Sequence, residues 1–312
     1  MTNGSSSLTN TSRGFTIALI SALILSTTAI FIRYLTETYQ IPALVLAFWR
    51  DFFVAITLLP ILLVLRPHLL QVGRPQLFYL LSYGLLLAAF NGIWTLSVAL
   101  NGAAISTVLA YSSAAFTALL GWWLLKEPLN WAKILAVLLC LGGCVLVSGV
   151  FSQHAMQLSP MGILVGTIAG LAFAGYTLMG RSASERGLNP WTTLLYTFGF
   201  AAIFLLVVNL LPYQSLPGKA ANPEDLFWLG TALGGWMILF LLAAGPTLAG
   251  FGLYNVSLSY LPSSVVNLIV TLEPVLTATM AYFLLGEIMT GIQIGGGLLI
   301  LTGVVFLRLF GK

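Results

Sequence analysis

Residues 117–127 read TALLGWWLLKE, and residues 277–287 read TATMAYFLLGE. Thr117, Ala118, Leu124, Leu125 and Glu127 recur 160 positions later as Thr277, Ala278, Leu284, Leu285 and Glu287. The correspondence continues through Ile134/Ile294, Leu138/Leu298, Leu139/Leu299, Leu141/Leu301, Gly143/Gly303 and Val145/Val305, and reaches back to Gly92/Gly252 and Ser97/Ser257. Nearer the start the offset is 148, as in Arg33/Arg181 and Pro42/Pro190. The rise in offset marks an insertion between the seventh and eighth apolar stretches. PYQSLPGKAANPEDLF at 212–227 fits it, being rich in Pro, Gly and Asn without an apolar period. Each copy carries five apolar stretches, an odd number. The second copy must therefore enter a bilayer upside down, and inverted repeats of this kind mark secondary transporters.

The environment follows from composition. The chain is 59% hydrophobic and 6% charged, whereas soluble domains carry about 25% charged residues. A chain this apolar has lipid as its solvent. A spanning helix needs roughly 20 mostly apolar residues to cross about 30 Å of hydrocarbon. Spans are expected near 15–36, 42–65, 77–98, 103–125, 131–149, 160–180, 190–211, 235–258, 263–285 and 291–309. The domain reading is a cytoplasmic tail at 1–14, a first repeat at 15–149 and a second at 160–309. The stretch 226–261 is too long for one helix and too short for two with a turn. Residues 226–234 read as an interfacial lead-in. The first apolar run exceeds the core of a signal peptide, so it reads as a retained helix. Cys140 and Cys144 lie one helical turn apart, a geometry unsuited to a disulfide, and read as packing residues.

Basic residues set orientation. With ten spans both termini share a face, and that face collects Arg13, Arg66, Arg74, Lys126, Lys133, Arg181, Arg186, Arg308 and Lys312. The other face has Arg33 and Lys219, so both termini are expected in the cytoplasm of a cell-membrane protein. Splitting 226–261 into two spans would spoil this asymmetry. The formal charge of +4 is then a topology signal and does not argue for nucleic acid.

The paired LL-x-E endings, together with AFWRDF at 47–52, KEPL at 126–129 and LEPVLTATMAYFLLGE at 272–287, resemble the drug/metabolite transporter superfamily, and within it the EamA family. The resemblance covers roughly 15–309 and specifies the family far better than the solute. It implies an all-α membrane protein of ten helices in two inverted five-helix repeats. It also implies export of a small metabolite by alternating access, with spans three, four, eight and nine lining the path. One departure separates the halves: the second copy has Glu273-Pro274 where the first has Ser113-Ala114.

Within this frame Glu273 is the sharpest candidate. An ionisable group near the bilayer centre costs about 2.5–3.5 kcal/mol or more. It must face protein or water or carry a proton, which suits a group that trades protons against a solute. Pro274 removes a backbone bond, tolerated where the freed carbonyl faces a cavity, and reads as a hinge. Gly245-Pro246 in span eight reads as a second hinge. Arg50 is expected to hold a solute carboxylate, to pair with Glu273 or to tie a neighbouring span. Asp51 points about 100° away from it on the helix and is not expected to pair with it well. Asn91, Trp94, Tyr111, Tyr176, Tyr254, Asn255, Asn267 and Thr271 are the polar and aromatic residues placed on the path. They suit a mostly apolar pocket with a few polar groups.

Small residues form a stripe at Ala103, Thr107, Ala110, Ala114, Thr117 and Gly121. Its counterpart is Ser263, Asn267, Val270, Pro274, Thr277 and Ala281. Both read as close packing at the pseudo-twofold axis. Gly162, Gly166 and Gly170, and Gly291 and Gly295, read as packing within the monomer in preference to a homodimer face. Glu127 reads as an anion opening span five. His68 and His154 fall in loops on opposite faces, and no HExxH, GxSxG or membrane aspartate pair occurs. No enzyme, cofactor or metal site is therefore expected. The expected partners are a small-molecule substrate, the lipid bilayer and protons. The expected function is secondary export of a small neutral or zwitterionic, amino acid-like metabolite. A facilitator, channel or scramblase without gradient coupling, and a cationic drug pump, are the competing readings.

Overall fold

The computed structural model describes residues 3–101, 109–147, 160–211, 216, 218–285 and 290–310. Among these the ordered elements are all helical, with no strands. The ten spans are Asn3–Ser26 with Thr28–Tyr39, Ala43–Leu65, Arg74–Asn101, Leu109–Leu124, Trp131–Val147, Pro160–Glu185, Pro190–Leu210, Leu233–Leu258, Ser263–Val270 with Glu273–Leu285, and Gly291–Phe310. Seven helices among the described residues are long and apolar enough to cross a membrane. Spans four, five and nine are shorter apolar helices. Thr107, Ala103, His154, Glu287 and Lys312 lie outside the described residues.

The start of the first helix differs from expectation. The first helix begins at Asn3, so most of the polar 1–14 stretch is helical. Once the apolar run has formed a helix, each added residue gains one bond without a new nucleus. Span eight is a single helical run, with a π-helical turn at Ala243–Thr247. Pro246 has no N–H for the Leu242 carbonyl, and the Thr247 hydroxyl donates to that carbonyl instead, at 2.8 Å. The kink expected at Gly245-Pro246 therefore takes the form of a widened turn. The lead-in to this span holds a 3₁₀ turn at Pro223–Phe227, boxed by Asn222 and Asp225.

Span contacts close under exchange of the two halves. Span two packs on seven, four on nine and five on ten. Span three packs on six as eight packs on one, and span four on six as nine on one. Spans five and ten show the symmetry at atomic detail. A Cβ at Gly143 would come within 2.6 Å of Ile300, and one at Gly303 within 2.7 Å of Cys140. At the 160-residue offset these are one contact seen twice. Cys140 Sγ also donates to the Ile300 carbonyl at 3.7 Å, and Gln293 reaches the Val147 carbonyl at 3.3 Å. Numbers rise along one helix as they fall along the other, so the pair is antiparallel, as an inverted repeat demands. Both cysteines are free and buried.

The glycine readings divide. Gly166 and Gly170 press on Leu109 and Ser112 of span four, inside the monomer. Gly291 and Gly295 would meet nothing within 4 Å, and Gly296 takes the packing role instead, with a Cβ there 2.7 Å from the Gly143 carbonyl oxygen.

Candidate functional site

Span nine breaks at Thr271 and Leu272, and span four breaks at Ser112. Leu272 and Ser112 are equivalent at the 160-residue offset. Only the second copy has a proline, so proline does not make the break. What the two share is a hydroxyl turned onto its own backbone. Ser112 Oγ donates to the Leu109 carbonyl at 2.5 Å, and Thr271 Oγ1 to the Leu268 carbonyl at 2.6 Å. Such bonds offer the backbone an alternative to the helix ladder. Span one breaks by the same device at Thr27, whose hydroxyl takes the Ile24 carbonyl at 2.7 Å. The Ser26 carbonyl there receives the Thr277 hydroxyl of span nine at 2.9 Å. Pro274 stands in the first turn of the second half-helix, where its missing N–H leaves no gap. Glu273 opens that half-helix.

Polar residues gather in two knots on either side of an aromatic wall. In the first, Arg50 Nε donates to Asp51 Oδ1 at 3.2 Å and Arg50 Nη2 to Asn91 Oδ1 at 3.0 Å. Asn91 Nδ2 donates to Asp51 Oδ2 at 3.0 Å. All three are buried. The expectation that Arg50 and Asp51 pair poorly is thus corrected. The long guanidinium stem folds back across the 100° between them, and Asn91 bridges both. Arg50 has its ion partner beside it on span two and, among the described residues, forms no ion pair with Glu273.

In the second knot, Tyr254 and Thr177 share a hydroxyl–hydroxyl bond of 2.6 Å. Asn267 Nδ2 donates to Thr177 Oγ1 at 3.0 Å, and Ser113 donates to Asn267 Oδ1 at 3.1 Å. This chain ties spans eight, six, nine and four. Asn255 Nδ2 donates to the Tyr176 hydroxyl at 3.4 Å, while its buried Oδ1 has no hydrogen-bond partner among the described residues. The Tyr111 hydroxyl of span four lies within electrostatic reach of the Glu273 carboxyl of span nine. Tyr111 is also within electrostatic reach of Tyr254, and Tyr176 of Asp51. Phe90 stacks on Phe173 at 5.0 Å, and Phe173 stacks on Tyr176 and on Tyr254, at 6.2 Å each. The result is one band of polar and aromatic side chains from Asp51 to Glu273.

Along span nine the packing changes at Glu273. Residues 263–272 are buried without exception, on every face of the helix. From 273 to 277, and at 279 and 280, each is partly exposed. A helix touching lipid on one side would alternate. Exposure all round means that the second half-helix is loosely surrounded. Glu273 stands at the boundary between a buried half and a partly exposed half of span nine.

Most of the path residues chosen from the sequence fall in this band: Arg50, Asn91, Tyr111, Tyr176, Tyr254, Asn255, Asn267 and Glu273. Trp94 is half-buried in span three, at the position equivalent to Tyr254. Thr271 is buried with its hydroxyl spent on its own backbone. Pro246 sits in the π-helical turn and Pro274 in the first turn of the second half-helix. Thr177 and Ser113 join the band without having been chosen, since a lone hydroxyl in an apolar helix carries no mark distinguishing it from a back-bonded one. Glu127 differs from expectation. Asn130 caps span five, accepting from the Lys133 N–H at 2.9 Å, and Glu127 reaches span nine instead. No group of three or more His, Cys, Asp and Glu among the described residues could hold a metal ion.

The family model "EamA-like transporter family" matches residues 12–149 and 160–309. A relative in Escherichia coli, a probable amino-acid metabolite efflux pump, is 26% identical over 80% of this chain and 83% of its own. The threonine/homoserine exporter RhtA of Salmonella typhimurium is 28% identical over 73% of this chain and 70% of its own. An S-adenosylmethionine uptake transporter of Rickettsia bellii is 26% identical over 84% and 82%. A crystal structure superposes with a TM-score of 0.77 at 16% identity, covering 96% of this chain and 97% of the other. The two share a fold.

Proposed function

The chain belongs to the EamA-like transporter family, and we propose that it exports a small zwitterionic, amino acid-like metabolite by alternating access, with Glu273 as the proton-coupling group. It is a multi-pass membrane transporter rather than an enzyme. We place it in the cell membrane with both termini cytoplasmic, on the asymmetry of Lys and Arg between the two faces.

The observation that carries the reading is the position of Glu273. It is an acid at the opening of a half-helix, in electrostatic reach of Tyr111 across the interface of the repeats, where a buried half of span nine meets a partly exposed one. A group so placed can meet a solute or a proton from one side at a time. The relatives support the solute class, since threonine, homoserine and S-adenosylmethionine all carry an ammonium and a carboxylate. The locked state of Arg50 favours recognition through the ammonium end. Its guanidinium is committed to Asp51 and Asn91, and Glu273 has no ion-pair partner among the described residues. The same fact keeps a cationic drug as the second reading.

The test is uptake into inside-out vesicles or proteoliposomes, with and without an imposed proton gradient, for the parent and Glu273→Gln. Saturable, gradient-driven flux of labelled amino acids that is lost in the variant is expected. Saturable flux indifferent to both gradient and variant would make the protein a facilitator and remove Glu273 from coupling.

A further inference from the structure

The carboxylate of Glu127 is bound across the repeats by four donors. Its Oε1 accepts from the Ser263 N–H at 2.6 Å and the Ser263 hydroxyl at 2.7 Å. Its Oε2 accepts from the Ser264 N–H at 3.3 Å and the Ser264 hydroxyl at 2.7 Å. Glu127 is buried, with Lys133 in electrostatic reach. A helix usually takes its cap from the residue just before it. Here that residue is Pro262, which supplies no side-chain bond. The cap of span nine comes from the other half of the protein.

Spans four and nine meet closely beneath it. A Cβ at Gly121 would lie 3.0 Å from Glu127 Oε2 and 3.2 Å from Ser263 Oγ. The neighbouring turn is held as well. Arg181 Nη1 of span six donates to the carbonyls of Leu258 at 2.8 Å and Leu261 at 3.3 Å. The half-helix that this knot anchors, 263–270, belongs to the fully buried stretch below Glu273.

We propose that the Glu127–Ser263–Ser264 knot is the releasable closure of the solute path at the end where the span four–five and span eight–nine connections meet. Opening that end requires the carboxylate to leave both serines. The inference rests on the alternating-access reading above. A bond between two repeats that must move apart opposes their separation by its full strength, and hydrogen bonds to a charge are the strong kind. Both serine hydroxyls strengthen a cap that the two N–H groups alone would make, and so hold this end shut more firmly. Glu127 is a positioning residue: it touches no solute and sets which side of Glu273 is open.

The experiment reads accessibility and needs no known solute. Cys140→Ala and Cys144→Ala give a background free of cysteine, and Val270→Cys places a reporter in the buried half of span nine. Membrane-impermeant maleimide is applied to each face in right-side-out and inside-out vesicles. In the parent the reporter is expected to react slowly from the Glu127 face. Ser263→Ala with Ser264→Ala removes two of four bonds to a charge, and labelling from that face should rise on the order of tenfold or more. Glu127→Gln should do the same or more. Ser264→Ala alone, a milder change, should fall between parent and double variant. Unchanged labelling in variants that elute and melt like the parent would overturn the proposal and leave Glu127 a static cap. A second arm, proton-driven uptake of labelled amino acids in the same vesicles, separates the two readings. If it persists while labelling is unchanged, the latch alone fails. If it is absent as well, both fail.

Discussion

The Arg50–Asp51–Asn91 knot makes a prediction that separates structural charge from transport charge. Asp51 is fully buried and Arg50 nearly so. Asp51→Leu removes the charge at a similar volume, stranding a guanidinium in the membrane interior. Breaking a buried pair from one side costs about 3–5 kcal/mol, because the remaining charge is uncompensated. Arg50→Met should cost a similar amount by stranding the carboxylate. Arg50→Met with Asp51→Leu removes both charges and takes from Asn91 the bonds to these two neighbours, a loss of about 1–3 kcal/mol. The double variant should therefore be more stable than either single, a reversal that additive effects cannot produce. The assay is reversible unfolding in mixed detergent micelles for the parent, the two singles and the double. Adding Asn91→Leu should bring the triple variant close to the parent, since an apolar replacement of a buried ion group is often neutral. The reasoning is refuted if the singles add in the double. It is equally refuted if the singles leave stability unchanged and abolish transport, because Arg50 would then serve the solute and not its neighbours.

Three further outcomes are expected. Gly143→Ala puts a methyl 2.6 Å from the Gly296 carbonyl oxygen and should cost about 1–3 kcal/mol by overpacking, whereas Gly295→Ala, with nothing within 4 Å, should be neutral or stabilising by up to about 1 kcal/mol; thermal melting of the two purified variants ranks them, and equal melting points would refute the span five–ten contact. Pro274→Ala should leave the span nine break in place and transport largely intact, because span four breaks at the equivalent position without proline; loss of gradient-driven uptake with a normal melt would return the hinge to Pro274. Tyr111→Phe should keep the protein folded but weaken proton coupling, read as a smaller ratio of uptake with and without the gradient, since it removes a hydroxyl in electrostatic reach of Glu273; an unchanged ratio would separate Tyr111 from coupling.

Most of the fold was legible because the membrane simplifies the problem. Spans must be apolar and of a set length, and a five-span copy must invert. The 160-residue offset matched Gly143 with Gly303, and the two make equivalent contacts, Gly143 with Ile300 and Gly303 with Cys140. Side-chain partners were less legible. Arg50 and Asp51 were judged by the angle between their Cα–Cβ directions, but the arginine stem is long enough to erase that angle. The choice between Gly295 and Gly296 is one residue of register, about 100° of helix, and both sit in the run Gly295–Gly297 that offers no apolar landmark. The thin signal at Thr177 and Ser113 has the same origin. A single hydroxyl is cheap to satisfy on its own helix, as Ser112 and Thr271 are, and nothing in the neighbouring residues says which hydroxyls reach across.

Glu127 shows where local reading stops and what replaces it. Beside Pro128, a carboxylate at the head of span five has an obvious partner in that helix's own N–H groups. Asn130 lies closer to them and takes the role. The sign of the true partner lay in Pro262-Ser263-Ser264, a helix start whose preceding residue has no acceptor to give and whose first two residues bring hydroxyls in addition to N–H groups. Four donors converging at the buried head of a helix call for an anion from elsewhere in the chain. The LL-x-E ending of span four is the one acid of the first repeat that antiparallel packing of spans four and nine carries to that point. The repeat that reveals the fold thus also names the partner, once a helix is seen to lack its own cap.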